Sequence, residues 1–358
     1  MSHPLASGVL VYCRSGFEGE AAQELDTVAA HAGVAGFART ERGAGFAEFV
    51  LVEPMPAEAL LQAIGWPRLV FARQAVAVLD QLKGLPREDR LTPLLAELPT
   101  DFAVADAWVE SPDTDDGKAL TAFCRSFGNA LVQALKRDAR LVRDSPWRLH
   151  ALFPHGDRCF LAVAHTALCA PWPLGIPRLK FPRNAPSRST LKLDEAIQVL
   201  LTPGERERWF KSGMTAVDLG AAPGGWTWQL VRRALHVTAV DNGPMQEELM
   251  AGGHVTHLRE DGFRYQPKRR VDWMVCDMVE QPRRVAERMG EWLAEGWCQR
   301  SIFNLKLPMK KRYTEVQQAF ERIHALVHRR GGQVELRAKQ LYHDREEITV
   351  FARVLAEK

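Results

Sequence analysis

Between residues 215 and 241, a short apolar run from Thr215 to Leu219 opens into a turn of small residues, Gly220-Ala221-Ala222-Pro223-Gly224-Gly225. A second run, Val237 to Val240, then ends on Asp241. A buried strand, a tight turn and a helix start with free backbone N–H groups suit a parallel α/β sheet and few other folds. The acidic strand end follows the turn by about twenty residues, where a carboxylate can accept both hydroxyls of an adenosine ribose. The glycine order, with proline in the turn, departs from the G-x-G-x-x-G dinucleotide pattern. A nucleoside-binding domain is therefore expected, with an NAD-binding oxidoreductase as the weaker alternative.

The rhythm around this turn agrees. Val255 to Leu258, Trp273 to Cys276 and Ser301 to Leu305 are further short apolar runs, spaced widely enough for crossover helices, which predicts a doubly wound, Rossmann-like sheet with helices on both faces. Gln333 to Arg337 and Glu347 to Leu355 lie close together and read as an antiparallel pair at the sheet edge. Upstream, Ala170 to Ser189 carries five prolines without apolar periodicity and reads as a linker. Before it, alternating runs at Gly8 to Tyr12, Gly45 to Leu51 and Arg68 to Leu79 flank a helical stretch, Glu18 to Ala30, predicting a small α+β unit with an antiparallel sheet. A second unit follows. It has a helix from Leu120 ending in Lys136 and Arg137, then strands over Leu149 to Phe153 and Arg158 to Ala164.

Charge is nearly balanced overall, but not along the chain. Residues 1–180 hold 18 Lys and Arg against 21 Asp and Glu; residues 181–358 hold 29 against 23. Basic residues bunch at Lys136, Arg137, Arg140, Arg143 and Arg148, at Arg178, Lys180, Arg183 and Arg188, at Lys268 to Arg270, and at Lys310 to Arg312. One cluster is ordinary solvated surface, but four suggest a polyanion track, because phosphate contacts need only local positive charge. The six cysteines form no C-x-x-C pair, which argues against a thiolate metal site or a disulfide framework and for a reducing cytoplasm. No apolar run approaches the roughly 18 residues of a membrane helix. A cytoplasmic monomer without metal is expected.

The sequence Asp218-Leu219-Gly220-x-x-Pro223-Gly224-Gly225-Trp226, followed by an acidic strand end, resembles the S-adenosylmethionine loop of class I methyltransferases, in the form used by RNA ribose 2′-O-methyltransferases. That resemblance implies that Ala222, Pro223, Gly224 and Gly225 line the methionine part of the cofactor. Asp241 would take the ribose, and Asp261, in Glu260-Asp261-Gly262-Phe263, would sit near the adenine. Transfer of a methyl group to a ribose hydroxyl needs an aligned oxygen and a base or cation beside it. In doubly wound sheets such groups gather at the carboxyl ends of strands. Asp277 and Lys306 end two neighbouring strands and are hard to explain as core residues. Lys192, before Leu193-Asp194-Glu195, and Glu347, opening the last strand, would each pass alone for a surface charge. Together, Lys192, Asp277, Lys306 and Glu347 resemble the Lys-Asp-Lys-Glu tetrad of these enzymes, with Glu346 the rival for the fourth place. By that resemblance Lys306 takes the proton or orients the oxygen, and Lys192 suppresses protonation of Lys306. The carboxylates would position both amines, although they also favour the charged lysines and so oppose the base role.

Longer segments sharpen the likeness. Ser187-Arg188-Ser189-Thr190-Leu191-Lys192-Leu193, Phe303-Asn304-Leu305-Lys306-Leu307-Pro308-Met309-Lys310-Lys311-Arg312-Tyr313 and Leu341-Tyr342-His343-Asp344-Arg345-Glu346-Glu347 are similar to a family of bacterial 23S rRNA cytidine 2′-O-methyltransferases. The resemblance implies 23S rRNA as partner, with cytidine 2498 in the usual numbering as target. It also implies a ferredoxin-like domain over 1–85, a THUMP RNA-binding domain over 86–170, a linker over 171–186 and the methyltransferase domain over 187–358. Ser189 and Asp277 would also touch the cofactor. Ala222 departs from the cysteine expected there. A base methyltransferase is the nearer rival, yet Cys276-Asp277-Met278-Val279 is not the Asn/Asp-Pro-Pro-aromatic motif of amino-nitrogen enzymes. A non-catalytic RNA-binding module would have no use for Lys306 and Asp277.

Overall fold

Alternating apolar positions in the N-terminal half build one continuous sheet. The computed structural model, which describes residues 4–99 and 101–355, divides into two units, residues 1–176 and 177–358. The first contains β1 (Leu5–Tyr12), α1 (Glu18–His31), β2 (Gly36–Thr40), β3 (Phe46–Pro56), α2 (Ala57–Ile64), β4 (Gln74–Lys83), α3 (Leu91–Ala96), β5 (Asp106–Glu110), α4 (Asp115–Ala119), α5 (Thr121–Arg137), β6 (Trp147–His155) and β7 (Arg158–His165). Its seven strands lie in the order β2-β3-β1-β4-β7-β6-β5. Pairing of β4 with β7 carries the sheet across the loop near residue 85.

The antiparallel sheet expected of the first small unit is found in β1 to β4, and it continues through β7 and β6 to β5, which pairs parallel to β6. One expectation changes here. The strand expected from Arg68 begins only at Gln74, because the backbone before it finds side-chain partners instead of a ladder. The Glu24 carboxylate accepts the N–H groups of Val70 and Phe71 at 2.6 and 2.9 Å, and the Trp66 indole donates to the Arg73 carbonyl. Buried backbone groups must be satisfied somewhere, and a carboxylate does it as well as a neighbouring strand. Part of the first basic cluster is structural too. Arg140 donates to the Phe102 carbonyl, and Arg148 pairs with Asp106 while lying over the Trp108 ring.

The second unit contains α6 (Thr190–Leu200), α7 (Pro203–Trp209), β8 (Thr215–Leu219), α8 (Gly225–Val231), β9 (His236–Val240), α9 (Glu247–Ala251), β10 (Val255–Leu258), β11 (Val271–Cys276), α10 (Pro282–Ala294), β12 (Cys298–Lys306), α11 (Arg312–His328), β13 (Gln333–Lys339) and β14 (Glu347–Leu355). The order is β10-β9-β8-β11-β12-β14-β13. The first five strands run parallel, while β14 is antiparallel to both β12 and β13. Trp209, Trp226, Trp273, Ile302 and Phe351 bury one face of this sheet against α6 and α8, at about 1.5–3 kcal/mol for each large side chain removed from water. The parallel strands β8, β11 and β12 end at the edge where the reversed β14 begins. Four loops therefore deliver polar side chains to one place.

Candidate active site

The register sets the geometry. Leu219 of β8 and Phe303 of β12 both pair with Cys276 of β11, so Gly220 and Asp277 leave the sheet side by side. On the other side Lys306 pairs directly with Glu347. Glu347 is buried, and its two oxygens serve two lysines. Oε1 meets Lys192 Nζ at 2.5 Å, and Oε2 meets Lys306 Nζ. Lys192, from the first turn of α6, also lies 3.4 Å from the Asp277 carboxylate. The four tetrad candidates thus come together. Glu346 does not join them, because it pairs with Arg312 and is 57% exposed.

The electrostatics separate the two amines. Burial works against the Lys192 charge, but Asp277, Glu347 and Asp344 outweigh it and hold that lysine above its usual value. Burial likewise pushes the Glu347 carboxyl up, and the two ammonium groups more than reverse this, holding it below the usual carboxylate range. Lys192 is a fixed cation spread over two carboxylates. Lys306 shares one carboxylate with it and is 30% exposed, against 17% for Lys192. Lys306 is thus the more accessible of the two amines.

The glycine turn lies against these groups. Gly220 has φ +76°, and a Cβ there would come within 2.6 Å of Met278, the residue after Asp277. Gly224, at φ +113°, starts α8, and a Cβ on it would meet Leu249 at 2.5 Å. A Cβ on Gly225 would collide with the hydroxyls of Ser187 and Ser189, which bond each other at 2.7 Å at the start of α6. Glycine is what lets the helix carrying Lys192 touch the loop. Asp241 accepts the Ala222 N–H at 3.0 Å and the Gly243 N–H at 2.7 Å, one on each oxygen. It therefore shapes the turn, beside Pro223, while keeping a second lone pair on each oxygen. Bare backbone beside a carboxylate at a parallel-strand end fits a nucleoside cofactor of the kind the loop sequence suggests.

Asp261 stands apart from the tetrad. It accepts the Phe263 N–H at 2.9 Å and lies 3.6 Å from Arg264, in the wall of a cleft of about 930 Å³ that is otherwise lined mainly by α10 and α11 and by no tetrad residue. The next residue, Gly262, packs against Met278 and Leu219, so the turn still borders the strand ends.

Sequence reasoning passed over several groups behind the site. Asp218 is fully buried, accepts the Thr227 hydroxyl at 2.6 Å, and is pushed up to about 7 by burial and by the charges of Asp277 and Asp241, against the Thr227 hydrogen bond. Glu195 accepts the backbone N–H groups of Tyr342 and His343 at 2.8 and 3.0 Å, fixing the loop before β14. Asn304 and Thr349 form the cross-strand pair next to Lys306 and Glu347 on the same face. Period-two counting back from Lys306 would have found Asn304. All six cysteines are free and buried, and burial pushes the Cys276 thiol up to about 12, which removes it as a nucleophile. Among the described residues no helix is long and apolar enough to cross a membrane, and no grouping of His, Cys, Asp and Glu could hold a metal ion.

Family models match in three stretches. These are an RlmM ferredoxin-like domain over residues 6–76, a ribosomal RNA large subunit methyltransferase M N-terminal region over 89–165, and an FtsJ-like methyltransferase over 185–324. A curated relative from Xanthomonas campestris pv. campestris (strain B100), ribosomal RNA large subunit methyltransferase M, is 56% identical over 350 residues, covering 97% of this chain and 99% of its own. The protein of the same name from Xanthomonas axonopodis pv. citri (strain 306) is 55% identical with the same coverage. Among solved structures, TrmN from Thermus thermophilus aligns over 97% of this chain and 99% of its own at 16% identity, with a TM-score of 0.36, a likeness too loose to bear on the site.

Proposed function

The chain belongs to the ribosomal RNA large subunit methyltransferase M family, and from that premise we propose that it methylates the ribose 2′-oxygen of one cytidine of 23S rRNA, using S-adenosylmethionine. The observation that carries this reading is the sharing of Glu347 by Lys192 and Lys306 beside the glycine turn. A ribose hydroxyl is a poor nucleophile and must lose its proton as it attacks. A pair of amines, one held charged and one open to the substrate, suits that task and has no evident use in base methylation. S-adenosylmethionine, when bound, supplies an electrophilic methyl group on a sulfonium.

The residues divide the work. Ala222, Pro223, Gly224 and Gly225 would hold the methionine end, Asp241 the ribose and Asp261 the adenine side, while Ser189 and Asp277 would also touch the cofactor, Asp277 being bonded to Lys192. Lys306 Nζ takes the proton from the 2′-hydroxyl. Lys192 stays charged next to it and disfavours a second ammonium. In this reading residues 1–85 form a ferredoxin-like domain and 86–170 a THUMP region that grips the RNA, joined by the linker 171–186 to the methyltransferase domain 187–358. The protein acts as a monomer in the cytoplasm. The test is to incubate unmodified 23S rRNA with the protein and methyl-labelled S-adenosylmethionine, digest the RNA to nucleosides and locate the label. Label on a cytidine ribose supports the reading, and label on a base overturns it.

A further inference from the structure

The half of the C-terminal sheet made by β8, β9 and β10 is covered by helices on one face only. The connection from β10 to β11, residues 259–270, forms no helix among the described residues, although a doubly wound sheet is expected to place one there and parallel sheets normally bury both faces. Period-two alternation sorts the strands. Ala216, Val237, Ala239 and Val255 turn to the face packed by α8 and α9. Thr215, Val217, His236, Thr238, His254 and Thr256 turn the other way, and where a helix would lie they line a groove of about 700 Å³.

The groove is polar and positive. A sheet face built to receive a helix carries apolar side chains, whereas Thr215, His236, His254 and Thr256 are exposed here. Strand register sets Thr215 beside His236 and Thr238 beside Thr256. The loop over 259–270 forms the other wall and ends in Lys268, Arg269 and Arg270, all exposed. Against these three cations the described lining holds one acid, Glu260. Tyr265 adds an aromatic ring, and the His236 and His254 rings lie 5.1 Å apart, centre to centre. Cationic side chains next to flat rings match the phosphates and bases of single-stranded RNA. A partner helix would need an apolar stripe, which this wall does not offer.

We propose that this groove is a second RNA-docking site, which holds a single-stranded segment of the substrate away from the nucleotide being methylated. The inference rests on RNA being the substrate. The groove opens at the amino ends of β8 and β9, whereas Gly220 and Asp277 follow the carboxyl ends of β8 and β11. The five residues of β8 separate the two places, about 16 Å at 3.3 Å per residue. Contacts made there add affinity and hold the RNA in register without touching the transferred methyl, because phosphate contacts position a strand and do not read it.

Three measurements test the groove. Lys268→Gln, Arg269→Gln and Arg270→Gln combined should weaken binding of 23S rRNA on the order of tenfold and lower the slope of log K against log salt by about 2, at about 0.7 per single-stranded phosphate contact. Affinity for S-adenosylmethionine should stay unchanged. Thr256→Glu, which puts a carboxylate into the groove, should weaken RNA binding more than Thr256→Val, which suits the strand equally well. All these side chains are exposed, so the fold should hold, and melting curves check that. Irradiation of the wild-type protein with 4-thiouridine-substituted 23S rRNA should leave nucleotide adducts on the segment from Tyr265 to Arg270. An unchanged salt slope in the triple variant, or adducts confined to other parts of the chain, would overturn the groove as an RNA site. A defect seen with ribosomal particles but not with naked rRNA would assign the groove to a ribosomal protein and overturn it too. Failure of the wild-type protein to bind or label 23S rRNA would instead overturn the reading on which the inference rests.

Discussion

Lys306 and Glu347 stand directly opposite each other in antiparallel register, the last residue of β12 facing the first of β14. They are 41 positions apart in sequence, yet the sheet leaves them no other neighbour at that level. The one strand of the series that runs against the rest is thus what brings a carboxylate to the end where the parallel strands deliver Asp277 and Lys306. The other oxygen of Glu347 reaches Lys192 on α6, so one buried carboxylate joins three elements.

Removing that carboxylate should therefore cost both stability and rate. Glu347 is held below the usual carboxylate range by the two ammonium groups, so its contribution is present above the unfolded value and lost as pH falls through the folded one. Glu347→Gln should be less stable than wild type by about 2–3 kcal/mol at pH 7, and the two melting temperatures should converge as pH drops below about 4. A gap that stays constant with pH would mean that the ion pairs contribute nothing.

Asp218 makes the opposite case. Its carboxyl is pushed up to about 7 by burial, so the native state favours the proton. The stability this group allows is complete below the unfolded value, near pH 4, and lost as pH rises to about 7. Asp218→Asn cannot ionise, so it should gain on wild type across that window, by about 4 kcal/mol once pH exceeds 7. Melting curves taken between pH 4 and 8 would show the gap widening, and parallel curves would refute the buried-acid assignment.

The cluster after β12 divides into two parts. Arg312 donates to the Pro308 carbonyl and to Glu346 and holds the loop, whereas Lys310 and Lys311 are exposed. The double change Lys310→Gln, Lys311→Gln should lower the slope of log K against log salt for RNA binding by about 0.7–0.9 per lost phosphate contact. Filter binding at several salt concentrations checks this. An unchanged slope would identify the two lysines as solvated surface.

How far the sequence foretold this site depends on which kind of signal each residue carried. Asp277 and Lys306 were legible because a charge ending an apolar strand has no place in a core, and the glycine turn because its spacing to Asp241 is set by one crossover. Glu347 was legible only through resemblance: the last two runs read as an antiparallel edge pair, as found, but nothing local says that β14 rather than β13 inserts beside β12. Asn304 and Thr349 were hidden for a related reason. Each is a polar residue in an apolar setting whose partner is fixed by strand register, and register is a property of the folded sheet. In the N-terminal unit, the stretch after Arg68 looked like a strand by alternation, and only the position of the Glu24 carboxylate across the unit explains why it is not.

The most direct test of the account is the rate of methyl transfer by Lys306→Ala under single-turnover conditions, measured beside its affinity for S-adenosylmethionine. The Lys306 amine pairs with Glu347 rather than with the glycine turn or Asp241, so cofactor affinity should stay within about twofold of wild type while transfer to the cytidine ribose falls by at least about 100-fold. Transfer at the wild-type rate by a folded Lys306→Ala protein would contradict the account.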